Sequence, residues 1–520
     1  MNVTFTDWTI LTVLFLVFLV MAICLNRLCR SVADYLVSGR KVRMWLGMGS
    51  GIAGEVGLVS IAGMCEQGYT RGYGFILIAL LSMCVTVPLF GVLGFGIERF
   101  RASMAMSVPQ YVEMRYSRGL RMLTGILNSA AGVLQMCLFP IVGAGFLRVL
   151  MQAPEFVQVA GVRLQTAWLI MAVLLSCNVI FTFLGGSITL VVTNFFHMII
   201  TMGVLYWTCF LVVGRIGLQQ LWMGLETHKG AGGVNPFAGD TTAYGLTWFC
   251  WLMAMTILLQ FSYGPYLQKI ASMDRPKTVS RAYLLGSLFG NGRTFVVMGL
   301  GVAALAALGP AVPAGVTATG DLWSRMATPY FLAQMVPPVL MGFLLAGLLF
   351  ADTSTTDQYI LSWATSIVND CICPFRKDSF TPRQHIVVVK ITIVVLCVLF
   401  FLFGLTYTPT LPIWEYLWLL ANIIGGTGIA VLCGMYWKRA KTGGAYAAVL
   451  TCVILPVADL VARRVYVARG LEFPLKPEVT GLYTYVIGFA LLVVISLCTP
   501  GEGKYWDLGE TVRQMNREEK

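Results

Sequence analysis

The 520 residues are 58% apolar and only 12% Asp, Glu, Lys or Arg, about half the charge of an ordinary globular chain. With a mean hydropathy of +0.78, a string of soluble domains is excluded, because so few charges cannot cover so much apolar surface. The formal net charge of +12 then belongs to the loops of a polytopic membrane protein and points to no nucleic-acid partner.

About 20 apolar residues cross a bilayer, so the distances between charges outline the helices. Trp8–Asn26 is uncharged between Asp7 and Arg27. It is too long for a signal-peptide core and has Arg27 and Arg30 after it rather than before, so it reads as a retained helix. Further spans are expected near 44–65, 72–97, 122–150, 164–184, 188–214, 243–272, 282–308, 330–368, 385–408, 412–437, 443–466 and 480–499, about thirteen in all. The uncharged run Leu164–Gly214 is too long for one crossing, and Gly185-Gly186-Ser187 divides it. The stretches 215–242 and 309–329 have room for short helices but not for domains.

Most Lys and Arg fall in alternate loops, around Arg27–Arg43, Arg99–Arg121, Lys269–Arg281, Arg376–Lys390 and Lys438–Lys441, and in the tail to Lys520. The positive-inside rule therefore puts the amino terminus outside and the carboxyl terminus in the cytoplasm of a plasma-membrane protein. Only Arg463, Arg464, Arg469 and Lys476 run against it.

Two spans contain breaks. The second carries Gly47, Gly49, Gly51, Gly54 and Gly57, with Glu55 at mid-membrane; the seventh carries Gln260-Phe-Ser-Tyr-Gly-Pro265. Glycine and proline free backbone carbonyls there, which membranes tolerate where the backbone lines a cavity or meets other protein. The breaks lie five spans apart, first in each of two sets of five, the pattern of inverted repeats around a midplane site. Close helix packing by glycine is the plainer reading of the second span alone.

The most polar intramembrane stretch is Ala351-Asp-Thr-Ser-Thr-Thr-Asp-Gln358. Ala351, Ser354 and Gln358 share one helix face with Thr355 beside them, and their oxygens suit a hard cation. Any one hydroxyl can instead bond back to its own helix; the cluster as a whole is harder to explain so. The 14 cysteines are scattered and the three histidines, His197, His228 and His385, form no metal motif. No Ser-His, Cys-His or H-E-x-x-H grouping exists, so an enzyme is not expected.

Asp34-Tyr-Leu-Val-Ser-Gly-Arg40, the stretch Ala351–Asp370, and Gly434-Met-Tyr-Trp-Lys-Arg439 with Gly443-Gly-Ala445 resemble three motifs of the sodium:solute symporter family, in the family's order. The resemblance runs over about residues 7–500. It implies a leucine-transporter-type, all-α core of five plus five helices with broken first and sixth core helices. The corresponding division is a leading helix at 7–29, repeats at 44–214 and 243–437, trailing helices at 443–499 and a cytoplasmic tail at 500–520. It also implies a Na+ site made of the carbonyls of Ala53, Val56 and Ala351 and the hydroxyls of Ser354 and Thr355.

The chain departs from the family's pattern in three places. Members with a second sodium carry an acid on the fifth core helix, where this chain reads Thr193-Asn194-Phe-Phe-His197. Asp357 falls where such members have a hydroxyl, which raises two readings: a carboxylate relocated from 194 to 357, or a single sodium with Asp357 bonded to a neighbouring helix. The family's Gln-Arg pair reads Gln268-Lys269, expected to anchor the inner surface. Glu55 beside the sodium carbonyls is placed for a cation, a proton or an amine, or for an ion pair with Arg293 or Lys390.

The expected function is sodium-coupled symport of a small organic solute by alternating access, with no protein partner required. Glu55, Gln135, Gln260, Tyr263 and Trp418 are the candidate solute-lining residues. A proton-coupled or sodium-independent carrier and a transporter-derived solute sensor are the alternatives.

Overall fold

The computed structural model describes residues 3–27, 31–159, 161–238, 245–313, 321–376, 380–407, 413–471, 473–500 and 504–517; Arg30, Lys377 and Lys520 of the basic loops lie outside them. The first half begins with α1 (Phe5–Asn26) and the short α2 (Val32–Val37). Next, α3 (Met44–Ala53) and α4 (Leu58–Arg71) form a pair bent by 57°. α5 (Gly74–Thr86) passes through a wide turn at Pro88 to α6 (Ile97–Ala102), and α7 (Val108–Arg115) precedes α8 (Arg118–Leu150). α9 (Thr166–Ile216) has two segments, Thr166–Phe183 and Gly186–Ile216, parted at Gly186, whose φ of 55° and ψ of −161° only glycine adopts readily. α10 (Leu218–Lys229) closes this half.

The second half repeats the bent pair in α11 (Leu246–Ser262) and α12 (Gly264–Ser272), at 55°. α13 (Pro276–Gly290) and α14 (Gly292–Leu308) follow, then α15 (Asp321–Met335) and α16 (Leu340–Ser366). α17 (Pro382–Thr406), α18 (Ile413–Tyr436), α19 (Thr442–Ala468), α20 (Pro477–Cys498) and α21 (Leu508–Arg517) complete the chain.

Among the described residues ten helices are long and apolar enough to cross a membrane, or twelve when each bent pair counts as one. The 27-residue α16 is not among them, because hydroxyls and carboxylates fill its middle. The stretch 330–368, expected as one span, is two helices: Pro337 and Pro338 lack the N–H that would carry α15 into α16. Two elements were not expected. A hairpin of β1 (Phe156–Val159) and β2 (Val162–Gln165) interrupts the otherwise helical chain. In the tail, α21 packs on α6 and α13, with Leu508 buried.

α16 lies at the centre of the bundle, buried along nearly its whole length, mainly against α9 and α1. Its first turn is capped from α1: the Asp7 carboxylate accepts from the N–H of Val339 at 2.7 Å and of Gly342 at 2.9 Å. An anion at a helix start satisfies orphan donors and complements the dipole. Beyond its other end, Asp370 pairs with Arg121 of α8 at 3.0 Å and accepts from Ser107 and Ser366. The helix carrying the polar cluster is thus fixed at both ends.

α4 crosses α14 at backbone contact. A Cβ on Gly301 would lie 2.2 Å from the Cys65 carbonyl oxygen, and one on Gly68 would lie 2.2 Å from that of Met298. Small residues permit such close crossings in membranes. Gly301→Val is therefore expected to cost about 1–3 kcal/mol by overpacking. It should lower the thermal midpoint of the purified protein, whereas Gly203→Ala, at a position with open space, should not.

Candidate functional site

The α3–α4 break consists of Gly54-Glu-Val-Gly57, and it lies directly on α16. A Cβ on Gly54 would come within 2.1 Å of Gln358 Oε1 and 2.5 Å of Lys269 Nζ. On Gly57 it would sit 2.9 Å from the Thr355 side chain. The glycines that interrupt the helix are therefore also what lets it touch α16. Across this contact the Ala53 carbonyl accepts from both Ser354 Oγ and Thr355 Oγ1, each at 3.1 Å. Ser354 Oγ is also 3.2 Å from the Ala351 carbonyl oxygen. Val56, buried in the same broken turn, donates its N–H to Ile52 and Ala53.

Oxygens of Ala53, Ala351, Ser354 and Thr355 thus meet within hydrogen-bonding distances, beside Val56. Each hydroxyl keeps lone pairs free after donating, and the donor set is all oxygen, as a hard cation requires. Among the described residues no group of three His, Cys, Asp or Glu residues could hold a metal. The cation that fits is one held mainly by neutral oxygens.

At the second break, Tyr263 stands in extended conformation between α11 and α12. The freed carbonyl of Ser262 accepts from Asn128 Nδ2 at 3.0 Å, while Thr427 donates to Asn128 Oδ1 at 3.2 Å. Asn128 therefore links α8, α11 and α18. Sequence reasoning missed it, because one asparagine in an apolar helix carries no spacing signal. The Tyr263 ring packs edge-on against Tyr266, Tyr359 and Trp363.

Between the two breaks is a cavity of about 180 Å³. Four of the five expected solute-lining residues, Glu55, Gln135, Tyr263 and Trp418, line it together with Arg293. The fifth, Gln260, lines an adjoining cavity of about 350 Å³ that shares Glu55, Arg293 and Trp418. Of the two partners considered for Glu55, Arg293 is the one it meets, at 2.9 Å; Lys390 instead lies over the rings of Phe183 and Tyr35. Arg293 also donates to the Ile52 carbonyl at 3.2 Å, a cation at the end of α3 where the helix dipole favours one. Trp414 and Trp418 line both cavities, and Phe75, Trp248 and Trp251 pack around Trp418.

The two residues of the 268–269 pair act differently. Gln268 donates to the Leu36 carbonyl of α2 at 2.7 Å, an anchoring contact. Lys269 reaches inward to Gly51 O at 3.4 Å and lines the larger cavity. Asn194 and Asp357 likewise have different surroundings. Asn194 donates to the Ser354 carbonyl at 3.1 Å, while Asp357 is buried beside Cys177 and Thr182 of the first α9 segment.

With this geometry in view, the sodium:solute symporter family matches residues 35–452. The chain belongs to that family. A sodium/sialic acid symporter of Proteus mirabilis is 23% identical over 82% of this chain and 83% of its own length. A sodium/proline symporter of Staphylococcus aureus is 21% identical over 94% and 91%. An osmoregulated proline transporter of Bacillus subtilis is 21% identical, and the match spans 65% of each chain. Among solved structures, a substrate-bound, outward-open Na+-coupled sialic acid symporter superposes with a TM-score of 0.78 at 16% identity, covering 96% of this chain and 99% of that one. MhsT in complex with L-phenylalanine gives 0.51 at 13% identity, over 88% and 98%. The fold is thus the leucine-transporter type, and the family is one of membrane transporters coupled to sodium, not of enzymes.

Proposed function

We propose that this protein carries a small organic solute together with sodium across the plasma membrane by alternating access. The observation that carries the reading is the convergence of the Ser354 and Thr355 hydroxyls on the Ala53 carbonyl at the α3–α4 break. Sodium held by Ala53, Val56, Ala351, Ser354 and Thr355 ties the broken helix to α16 and so favours the arrangement that accepts solute. Coupling is reciprocal, so solute raises sodium affinity by the factor by which sodium raises solute affinity. One charge crossing 100 mV gains about 2.3 kcal/mol, roughly fifty-fold in concentration.

The solute occupies the cavity between the breaks, its polar group at the Glu55–Arg293 pair and its apolar body against the tryptophans. Relatives named for sialic acid, proline and pantothenate set the first panel to try, since all three solutes carry a carboxylate that Arg293 could meet. The division into a leading helix, two five-helix repeats and two trailing helices belongs to the same proposal, as does an outside amino terminus. Of the basic residues that oppose that orientation, Arg463 is ion-paired with Asp459 at 2.7 Å. Uptake into proteoliposomes across that panel, driven by an inward sodium gradient, tests the reading. Accumulation that collapses when sodium is equilibrated supports it; accumulation driven equally by a proton gradient without sodium sinks it.

A further inference from the structure

Among the residues that line the two joined cavities, only Glu55, Lys269 and Arg293 carry charge. Glu55 and Arg293 neutralise each other at 2.9 Å, which leaves Lys269 over. Its ammonium has three protons to donate. Among the described residues it makes one hydrogen bond, to Gly51 O at 3.4 Å, longer than a normal N–H···O contact. The Tyr266 ring lies 5.7 Å away, and no carboxylate pairs with Lys269 among the described residues. The charged groups that face it are Glu55 and Arg293 themselves. An ammonium at membrane depth with so few partners is costly until an anion meets it.

The ammonium has two neighbourhoods. On the cavity side it stands near Arg293, for the two cations rest on consecutive carbonyls of α3, Lys269 on that of Gly51 and Arg293 on that of Ile52. Arg293 has five N–H groups, so donors remain after Ile52 and Glu55 are served. On the α16 side, a Cβ on Gly54 would lie 2.5 Å from Lys269 Nζ. Gly54 follows Ala53, so peptide dimensions put Nζ within ~7 Å of the Ala53 carbonyl oxygen, on which Ser354 and Thr355 converge. A sodium ion there, at the ~2.4 Å of a hard-cation contact, is within ~9 Å of the ammonium. Two like charges at that separation and an effective dielectric of about 20 repel strongly enough to weaken binding about tenfold.

We propose that the solute is a carboxylate, that its carboxylate bridges Lys269 and Arg293, and that neutralising Lys269 is how solute and sodium strengthen each other's binding. The inference rests on the sodium-coupled reading and adds to it the charge of the solute and the residue that couples. Without solute, the bare ammonium opposes an ion at Ala53. A bound carboxylate cancels that repulsion, and by reciprocity the ion tightens the carboxylate by the same factor. Departure of either partner loosens the other, so both leave on the same side. A solute of the same shape without the carboxylate fills the cavity but leaves the ammonium as it was.

Equilibrium binding of radioactive sodium to the purified full-length protein tests the proposal. The probes are proline, pantothenate and sialic acid, each against its own carboxamide or methyl ester. Without solute, Lys269→Met should bind sodium about tenfold more tightly than wild type, a gain that loss of a merely structural lysine does not give. In wild type at least one of the three acids should tighten sodium about tenfold, and its amide or ester should not. In Lys269→Met that acid should leave sodium affinity nearly unchanged. The acid and amide comparison in wild type decides the matter should Lys269→Met fail to fold. Sodium affinity unchanged or weakened in folded Lys269→Met overturns the proposal. So does an amide or ester that acts like its acid, or a panel in which no acid tightens sodium. Ser354→Ala checks the underlying symport reading separately. Sodium binding that survives it undiminished sinks that reading; binding lost there but indifferent to Lys269 and to the carboxylate sinks this proposal alone.

Discussion

Replacing Ser354 by Ala and Thr355 by Val together is expected to abolish sodium-driven uptake at physiological sodium. The sodium concentration for half-maximal transport should rise by at least about a hundredfold. Both hydroxyls point at one carbonyl, that of Ala53, whose backbone partner at the helix break is the Val56 N–H at 3.3 Å. Each hydrogen bond or ligand contact to a charged group is worth about 1.5–3 kcal/mol, and every 1.4 kcal/mol is about tenfold in affinity. Losing two such donors from one shell also leaves the carbonyl with the Val56 N–H alone, facing methyl groups on the α16 side. Solute binding should weaken in step, because the coupling is reciprocal. Thr353→Ala on the same helix is the control. That hydroxyl bonds back to the Phe350 carbonyl at 3.3 Å, so its loss should leave sodium dependence unchanged. Uptake that keeps wild-type sodium dependence in the double variant would remove this cluster from the coupling mechanism.

The parts of the protein that were legible in the sequence are those that local chemistry marks. Glycines 54 and 57 and the Gly264-Pro265 pair announce interrupted helices, and the two bent pairs fall at those residues. Charge-free runs located the long apolar helices, because the bilayer imposes one length on all of them. Helical spacing put Ser354 and Thr355 together before any partner was known. The partners themselves were the harder part. Asp7 caps a helix whose first residues lie more than 330 positions away, and Asn178 meets Asp352 from another helix. Such pairings depend on how helices are arranged in space, and no periodicity within either segment records them. The merged expectation for 330–368 failed for a related reason. Pro337 and Pro338 lie between two apolar stretches, and hydropathy alone does not register the break.

Glu66→Ala is expected to open the end of the bundle where α4 meets α15 and α18. Glu66 is 2% exposed and accepts from Arg325 Nε at 3.2 Å, Ser324 Oγ at 3.3 Å and the Ile413 N–H at 3.2 Å. One carboxylate therefore fastens α15 and the first turn of α18 onto α4, the second half of the broken span. Neighbouring contacts act in the same sense: Arg71 pairs with Glu415 at 3.0 Å, and Trp323 donates to Tyr69 at 2.8 Å. Removing one partner of a buried ion pair costs about 3–5 kcal/mol, enough to shift a two-state equilibrium by more than about a hundredfold. The cavity residue Met64, substituted by Cys, should then react faster with a membrane-impermeant thiol reagent applied from the α15 side than in the Glu66 parent. If sodium favours the arrangement open on that side, its affinity should rise while turnover falls, since the return step must rebuild the latch. Glu66→Gln keeps one acceptor oxygen, for either the Ile413 N–H at Oε2 or the Ser324 and Arg325 donors at Oε1, and should fall between the two. Labelling indifferent to Glu66 would mean that these contacts hold the fold together without taking part in its cycle.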